Sequence, residues 1–135
     1  MAKTILIVDD SAFIRKMIEN TLRSAGYNII TAKDGGDALE MLMEFENLAD
    51  QDNASISDFV SAIITDVEMP RMDGMHLVKR LRESKAYRQM PIVMFSSLMS
   101  EDNRTKAMAL GANDTITKPE IGRMVGMIDK YVFEE

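Results

Sequence analysis

Near the start of the chain, Thr4-Ile-Leu-Ile-Val8 is apolar or β-branched at every position and runs straight into Asp9, Asp10 and Ser11. A strand with one solvated face alternates apolar and polar residues; one that is apolar throughout is buried on both faces, as central strands of parallel sheets are. Asp-Asp-Ser supplies N-cap chemistry for a helix. Ile14, Met17, Ile18, Leu22 and Ala25 then recur at helical spacing and stop at Gly26, a good terminator. The first quarter of the chain therefore reads as strand, cap and helix.

That unit repeats along the chain. Tyr27 to Ala32 predicts a second strand, and Gly35-Gly36 precedes a helix carrying Ala38, Leu39, Leu42 and Phe45. Phe59 to Thr65 predicts a third strand, and Asp73-Gly74 turns the chain into a helix with Leu77, Val78 and Leu81. Pro91 opens a fourth strand, Ile92 to Phe95, after which Ser100 caps a helix ending at Gly111. Thr115 to Thr117 is a short fifth strand, and Pro119 starts a last helix through Ile121, Met124, Val125 and Ile128. Five such units predict an α/β fold, a doubly wound (βα)5 five-stranded parallel sheet with helices on both faces. All 135 residues are expected to form a single domain (1–135), with an acidic helix extension and surface loop at about 46–58.

Charge narrows the function. The net charge is −6, with 16 Lys plus Arg against 22 Asp plus Glu. This argues against nucleic acid or an anionic membrane as partner, since both need a basic excess. The acid is concentrated: Asp34 to Pro70 holds ten carboxylates and no Lys or Arg. The absence of Cys excludes a disulfide framework, a zinc ribbon and a thiol nucleophile. With no secretory signal, and no apolar run near the roughly 18 residues of a membrane span, the chain is expected to be soluble and cytoplasmic.

In a doubly wound sheet, ligands bind beyond the carboxyl ends of the strands. Asp9 and Asp10 follow the first strand, Asp66 the third, Ser96 and Ser97 the fourth, and Lys118 the fifth. Three clustered carboxylates repel one another. A hard cation such as Mg²⁺ relieves this and also takes phosphate oxygens as ligands. One carboxylate could then act as a nucleophile towards a phosphoryl group, with a lysine and a hydroxyl holding the other oxygens. Each residue alone reads first as a cap or turn; their joint placement at strand ends makes a site.

Several stretches carry a resemblance. Ile5-Leu-Ile-Val-Asp-Asp-Ser11, Ile64-Thr-Asp-Val-Glu-Met-Pro70 with Met72-Asp-Gly74, Pro91-Ile-Val-Met-Phe-Ser96, Gly111-Ala112 and Lys118-Pro119 resemble the receiver domains of two-component response regulators, the chemotaxis (CheY-like) group above all. The resemblance implies the flavodoxin/CheY-like strand order 2-1-3-4-5. It also implies Asp66 as phosphoacceptor, Asp9, Asp10 and Asp66 with the Glu68 backbone carbonyl as Mg²⁺ ligands, Ser96 as switch hydroxyl and Lys118 as phosphoryl-binding lysine. The Lys118-Pro119 peptide is expected cis, as in the family. The residues from Phe45 to Phe59, the Asp66-to-Gly74 phrase and Phe95-Ser-Ser-Leu98 look like the receivers of CheV-type coupling proteins. Thr115 stands where receivers usually carry an aromatic, and Lys-Pro-Phe reads Lys118-Pro119-Glu120, leaving no aromatic rotamer switch at 115.

The resemblance implies a signalling switch and not a turnover enzyme: it catalyses only its own phosphorylation and dephosphorylation. The expected partners are a sensor histidine kinase and a downstream protein or fused coupling domain. A Mg²⁺-dependent phosphohydrolase is the alternative, but the chain has no evident second acid to activate water. A phosphorylation-independent binding module is the other, and the intact acids, Ser96 and Lys118 argue against it. No GxGxxG or P-loop is present for a nucleotide. Glu68 and Leu98 flank the expected phosphoryl site and are candidates for tuning its lifetime. Core packing is the leading reading for the 13 Met, Met17, Met94, Met108 and Met124 among them. His76 is expected to be an exposed bystander.

Overall fold

The computed structural model describes residues 2–69, 71–97 and 99–133, with the side chain of residue 119 excepted. Leu98 therefore lies outside the described residues, whereas the backbone at 119 is described. The cis peptide expected at Lys118–Pro119 is not found, no peptide bond being cis among the described residues. The apolar runs become strands β1 (Thr4–Val8), β2 (Asn28–Ala32), β3 (Ala62–Asp66), β4 (Ile92–Ser96) and β5 (Asp114–Thr117). Between and after them lie helices α1 (Ala12–Ser24), α2 (Gly35–Gln51), α3 (Gly74–Glu83), α4 (Glu101–Leu110) and α5 (Met124–Phe133). The strands pair in parallel in the order β2-β1-β3-β4-β5, the order the family resemblance implied. Because β1 has neighbours on both sides, the chain reverses direction across the sheet at β1 and β3. That reversal opens a crevice at their carboxyl ends.

Residue alternation sorts the core into two layers. Leu6, Val8, Ile63, Ile92 and Met94 pack with Leu42 of α2, Leu77 and Leu81 of α3 and Ala107 of α4. Ile5, Ile7, Ile64, Val93, Phe95 and Ile116 face Ile18 and Leu22 of α1 and Met124 and Ile128 of α5. Each fully buried Leu or Ile contributes roughly 1.5–3 kcal/mol. Ser11, Asp34, Asp73 and Ser100 cap α1 to α4, their side chains accepting from the N–H of Ile14, Asp37, His76 and Asn103. The helices thus start just past the strand ends, next to the crevice.

The structure departs from expectation in several places. The third strand starts at Ala62 and not Phe59. A 3₁₀ turn at Ile56–Asp58, closed by a reciprocal Ser55–Asp58 capping box, leaves Phe59 in the right-handed helical region. Its ring stacks on Phe45 of α2 with centroids 5.7 Å apart, so the segment between α2 and β3 is tied back against α2. The last helix is preceded by a 3₁₀ segment, Lys118–Arg123, kinked at Glu120. Met94 and Met124 are core residues, whereas Met17 and Met108 are 40% and 47% exposed. The buried stripe of α1 runs through Ile18 and Leu22, one position over from Met17, and α4 buries only Ala107. Among the described residues, no helix is long and apolar enough to cross a membrane.

Arg82 closes the opposite end of the molecule. Its Nε donates to the Gly111 carbonyl at 2.9 Å and its Nη2 to Asn113 Oδ1 at 2.9 Å, while Nη1 donates to the Tyr87 carbonyl. Asn113 Oδ1 also accepts from the Ile92 N–H at 2.8 Å. Gly111 has a φ of +116°, and a Cβ there would meet the Arg82 side chain at 2.7 Å. Only glycine serves both the left-handed turn and the close approach.

Candidate functional site

The strand ends deliver the acids the sequence singled out. Asp9 follows β1 and is fully buried; its Oδ1 accepts from the Ser11 N–H at 2.7 Å, and Arg15 Nη1 donates to its carbonyl at 2.7 Å. Asp10 is exposed at the rim. Asp66 is the last residue of β3 and is 1% exposed. Asp9, Asp10 and Asp66 each offer a carboxylate oxygen, and the three oxygens lie within 4.8 Å of one another.

The loop after Asp66 is held tightly. The Val67 N–H donates to the Phe95 carbonyl at 3.2 Å, and the Gly74 N–H to the Val67 carbonyl at 2.8 Å. A Cβ on Gly74 would stand 2.1 Å from the Asp66 carbonyl oxygen, so α3 can start this close to the acid only with glycine there. Arg71 Nε pairs with Asp34 Oδ2 at 3.1 Å, tying the loop to the cap of α2. Above the acids lies an open cleft of about 500 Å³ bordered by Asp10, Val67, Glu68, Met69 and Asp73.

Lys118 enters from β5. Its Nζ lies 3.2 Å from Asp66 Oδ2, 3.6 Å from Asp9 Oδ2 and 5.4 Å from the centroid of the Phe95 ring. Burial alone would lower its pKa, but the negative charges of Asp66, Asp9 and Glu68 hold it above the usual lysine value. Burial, reinforced by the Asp9 charge and opposed by Lys118, pushes the Asp66 carboxyl up to about 6. Burial likewise raises Asp9. One ammonium does not compensate these carboxylates fully. Asp9 Oδ2 and Asp66 Oδ1 are buried and, among the described residues, have no hydrogen-bond partner. Two orphaned anionic oxygens beside a third carboxylate fit a hard divalent cation, and the all-oxygen donor set suits Mg²⁺.

The protein-family comparison matches residues 5–129 to the response regulator receiver domain. The chain belongs to that family. This receiver is 34% identical over 116 residues to a chemotaxis protein CheY homolog of Campylobacter jejuni, covering 85% of this chain and 80% of that protein. Among solved structures, Vibrio cholerae chemotaxis protein CheY4 is 32% identical, with a TM-score of 0.77 over 97% of this chain and 99% of that one. The receiver domain of the Pseudomonas aeruginosa sensor histidine kinase PA1611, solved with magnesium in its active-site cleft, shares the fold. It has a TM-score of 0.78 at 22% identity, over 99% of this chain and 100% of that one.

All six residues singled out from the sequence, Asp9, Asp10, Asp66, Glu68, Ser96 and Lys118, gather at one end of the receiver's sheet. The side chain of Glu68 stands apart from the three-acid cluster: its carboxylate accepts from the buried Ser96 hydroxyl, with Oε1 at 2.7 Å and Oε2 at 2.9 Å. The sequence reading assigned the Glu68 backbone carbonyl to the metal and placed Glu68 beside the phosphoryl site, but gave no sign of this contact, which joins residues 28 positions apart. Thr115 is 3% exposed, and its hydroxyl accepts from Arg104 of α4. A polar bridge between α4 and β5 thus occupies the place of the usual aromatic. His76 is exposed, and its N–H is taken by the Asp73 cap at 2.8 Å.

Proposed function

We propose that this receiver accepts a phosphoryl group on Asp66 from a histidine kinase and, once phosphorylated, changes its affinity for a downstream protein. The observation that carries the reading is the division of labour on one carboxylate. Lys118 holds Asp66 Oδ2 at 3.2 Å, while the buried Oδ1 has no hydrogen-bond partner among the described residues. Oδ1 is thereby left as the nucleophile. It attacks phosphorus, the P–N bond to the kinase imidazole breaks, and the imidazole leaves as it gains a proton. Lys118 and the Ser96 hydroxyl then hold phosphoryl oxygens.

Asp9, Asp10 and Asp66, with the Glu68 carbonyl, would hold Mg²⁺, which when bound supplies positive charge against the transferring phosphoryl oxygens. Chemotaxis is the pathway favoured by the relatives, two of which are chemotaxis proteins by name. The CheV-type resemblance adds a fused coupling domain as one form the downstream partner can take. The protein acts at the cytoplasmic end of such a pathway.

The test is intact-mass analysis after incubation with Mg²⁺ and acetyl phosphate or a phosphorylated kinase. One phosphoryl adduct, absent without Mg²⁺ and absent in Asp66→Asn, is expected. Continuous phosphate release from small phosphoesters with no adduct would overturn the reading in favour of a phosphohydrolase.

A further inference from the structure

Ser96 is fully buried at the end of β4, one position beyond Phe95, which is the register partner of Asp66. Its hydroxyl carries one proton and can therefore donate to one acceptor group at a time. In this structure it donates to the Glu68 carboxylate, with both oxygens in range at 2.7 and 2.9 Å. Hydrogen bonds to an ionised acceptor are about twice as strong as neutral ones. Glu68 itself sits on the exposed loop after β3 and borders the cleft above the acids. Its charge also contributes to raising both the Asp66 and the Lys118 pKa. The carboxylate thus reaches the switch hydroxyl while remaining part of the pocket's electrostatics.

We propose that Glu68 is a positioning residue that latches the resting state: its carboxylate holds the Ser96 proton, and a phosphoryl group on Asp66 must win that proton from it. The proposal rests on the phosphoacceptor reading of Asp66 given above. The exchange moves one hydrogen bond from carboxylate to phosphoryl oxygen and makes or breaks no covalent bond. The latch opposes activation, because every activated molecule has given up a charge-assisted contact. With a neutral or truncated residue at position 68, turning Ser96 towards the phosphoryl group would no longer cost that charge-assisted contact.

Beryllofluoride with Mg²⁺ is the probe, and a double-mutant cycle separates the latch from a bulk charge effect. Glu68→Ala is expected to tighten beryllofluoride binding about tenfold where Ser96 is present, a change worth about 1.4 kcal/mol. In the Ser96→Ala background it should tighten binding by about twofold or less, the part due to removing a negative charge. Glu68→Gln, which keeps an acceptor without the charge, is expected between wild type and Glu68→Ala. In metal-free protein, Glu68→Ala should move the Ser96 amide resonance towards its position in the beryllofluoride-bound wild type. Equal tightening in both backgrounds, or none in either, would overturn the latch. Failure of the wild type to bind beryllofluoride at all would instead sink the phosphoacceptor reading.

Discussion

Lys118 and Asp66 stand 52 positions apart in the chain, yet the lysine nitrogen sits 3.2 Å from one carboxylate oxygen of Asp66, which the strand order places across β4. The pair is buried at its acidic end and 20% exposed at its basic end, and Asp9 shares the same ammonium at 3.6 Å. Two carboxylates on one cation leave the metal-free site with excess negative charge, from which several measurable consequences follow.

The first concerns acidity. Asp66 titrates near 6 in the folded protein against 3.8 for an ordinary aspartate. The native state therefore binds more protons than the unfolded state between these values, so this group's contribution to stability falls as pH rises from 4 to 6. The penalty is fully present at higher pH and is on the order of 3 kcal/mol. Asp66→Asn is expected to be more stable than wild type at pH 8 in EDTA, with the gain gone by pH 4. Urea denaturation of both proteins at the two pH values checks this; the same difference at both would refute it.

Removing the cation acts in the opposite direction. Lys118→Met leaves Asp9 and Asp66 buried side by side without compensation, and a loss of about 3 kcal/mol at pH 8 without metal is expected. Saturating Mg²⁺ should recover most of it, because a divalent ion can replace the missing charge. Thermal melts with and without Mg²⁺ decide the matter: a loss insensitive to the metal would mean that Lys118 acts through packing alone.

At the start of α3 the constraint is steric. A methyl on Gly74 would collide with the Asp66 carbonyl, 2.1 Å away, and the collision is with backbone. Gly74→Ala should cost about 1–3 kcal/mol and weaken Mg²⁺ binding by moving the Asp66 loop. Isothermal titration alongside denaturation would show both; a destabilised protein with unchanged Mg²⁺ affinity would mean that the loop does not shift.

Far from the acids, Arg82 bridges the carbonyls of Gly111 and Tyr87 and the side chain of Asn113. Lysine cannot reproduce a planar fork with these directions. Arg82→Lys is expected to lower stability by about 2 kcal/mol while leaving phosphorylation of Asp66 unchanged. A parallel loss of phosphorylation would show that the two ends of the sheet are coupled.

Much of this architecture was legible in the chain because local signals agreed with the global fold. The runs at Thr4–Val8 and Ile92–Ser96 have no polar face, and Ser100 and Gly111 bracket α4 with a cap and a left-handed stop. Phe59 misled for a physical reason: an aromatic beside Val60 has strand propensity, but the capping box at Ser55 and Asp58 turns the backbone first and delivers the ring to Phe45. The short 3₁₀ turn at Lys85–Tyr87 has no apolar period to announce it. Within the site, residue types at strand ends foretold which side chains would meet. They could not foretell that Glu68 would turn to Ser96, or that Arg104 would reach Thr115. Those contacts depend on side-chain direction across elements, which spacing does not encode.

The long second helix has an electrical consequence. Its 17 residues carry the chain about 25 Å from the rim, at 1.5 Å per residue. With a screening length of about 8 Å in physiological salt, Asp50 and Asp52 at its far end are some three screening lengths along the helix from its cap at Asp34. The stretch of ten acids without a base is thus two circuits that share a wire but no current. One sets the charge state of the acceptor pocket. The other can gain or lose charge, or be covered by a partner, without retuning that pocket.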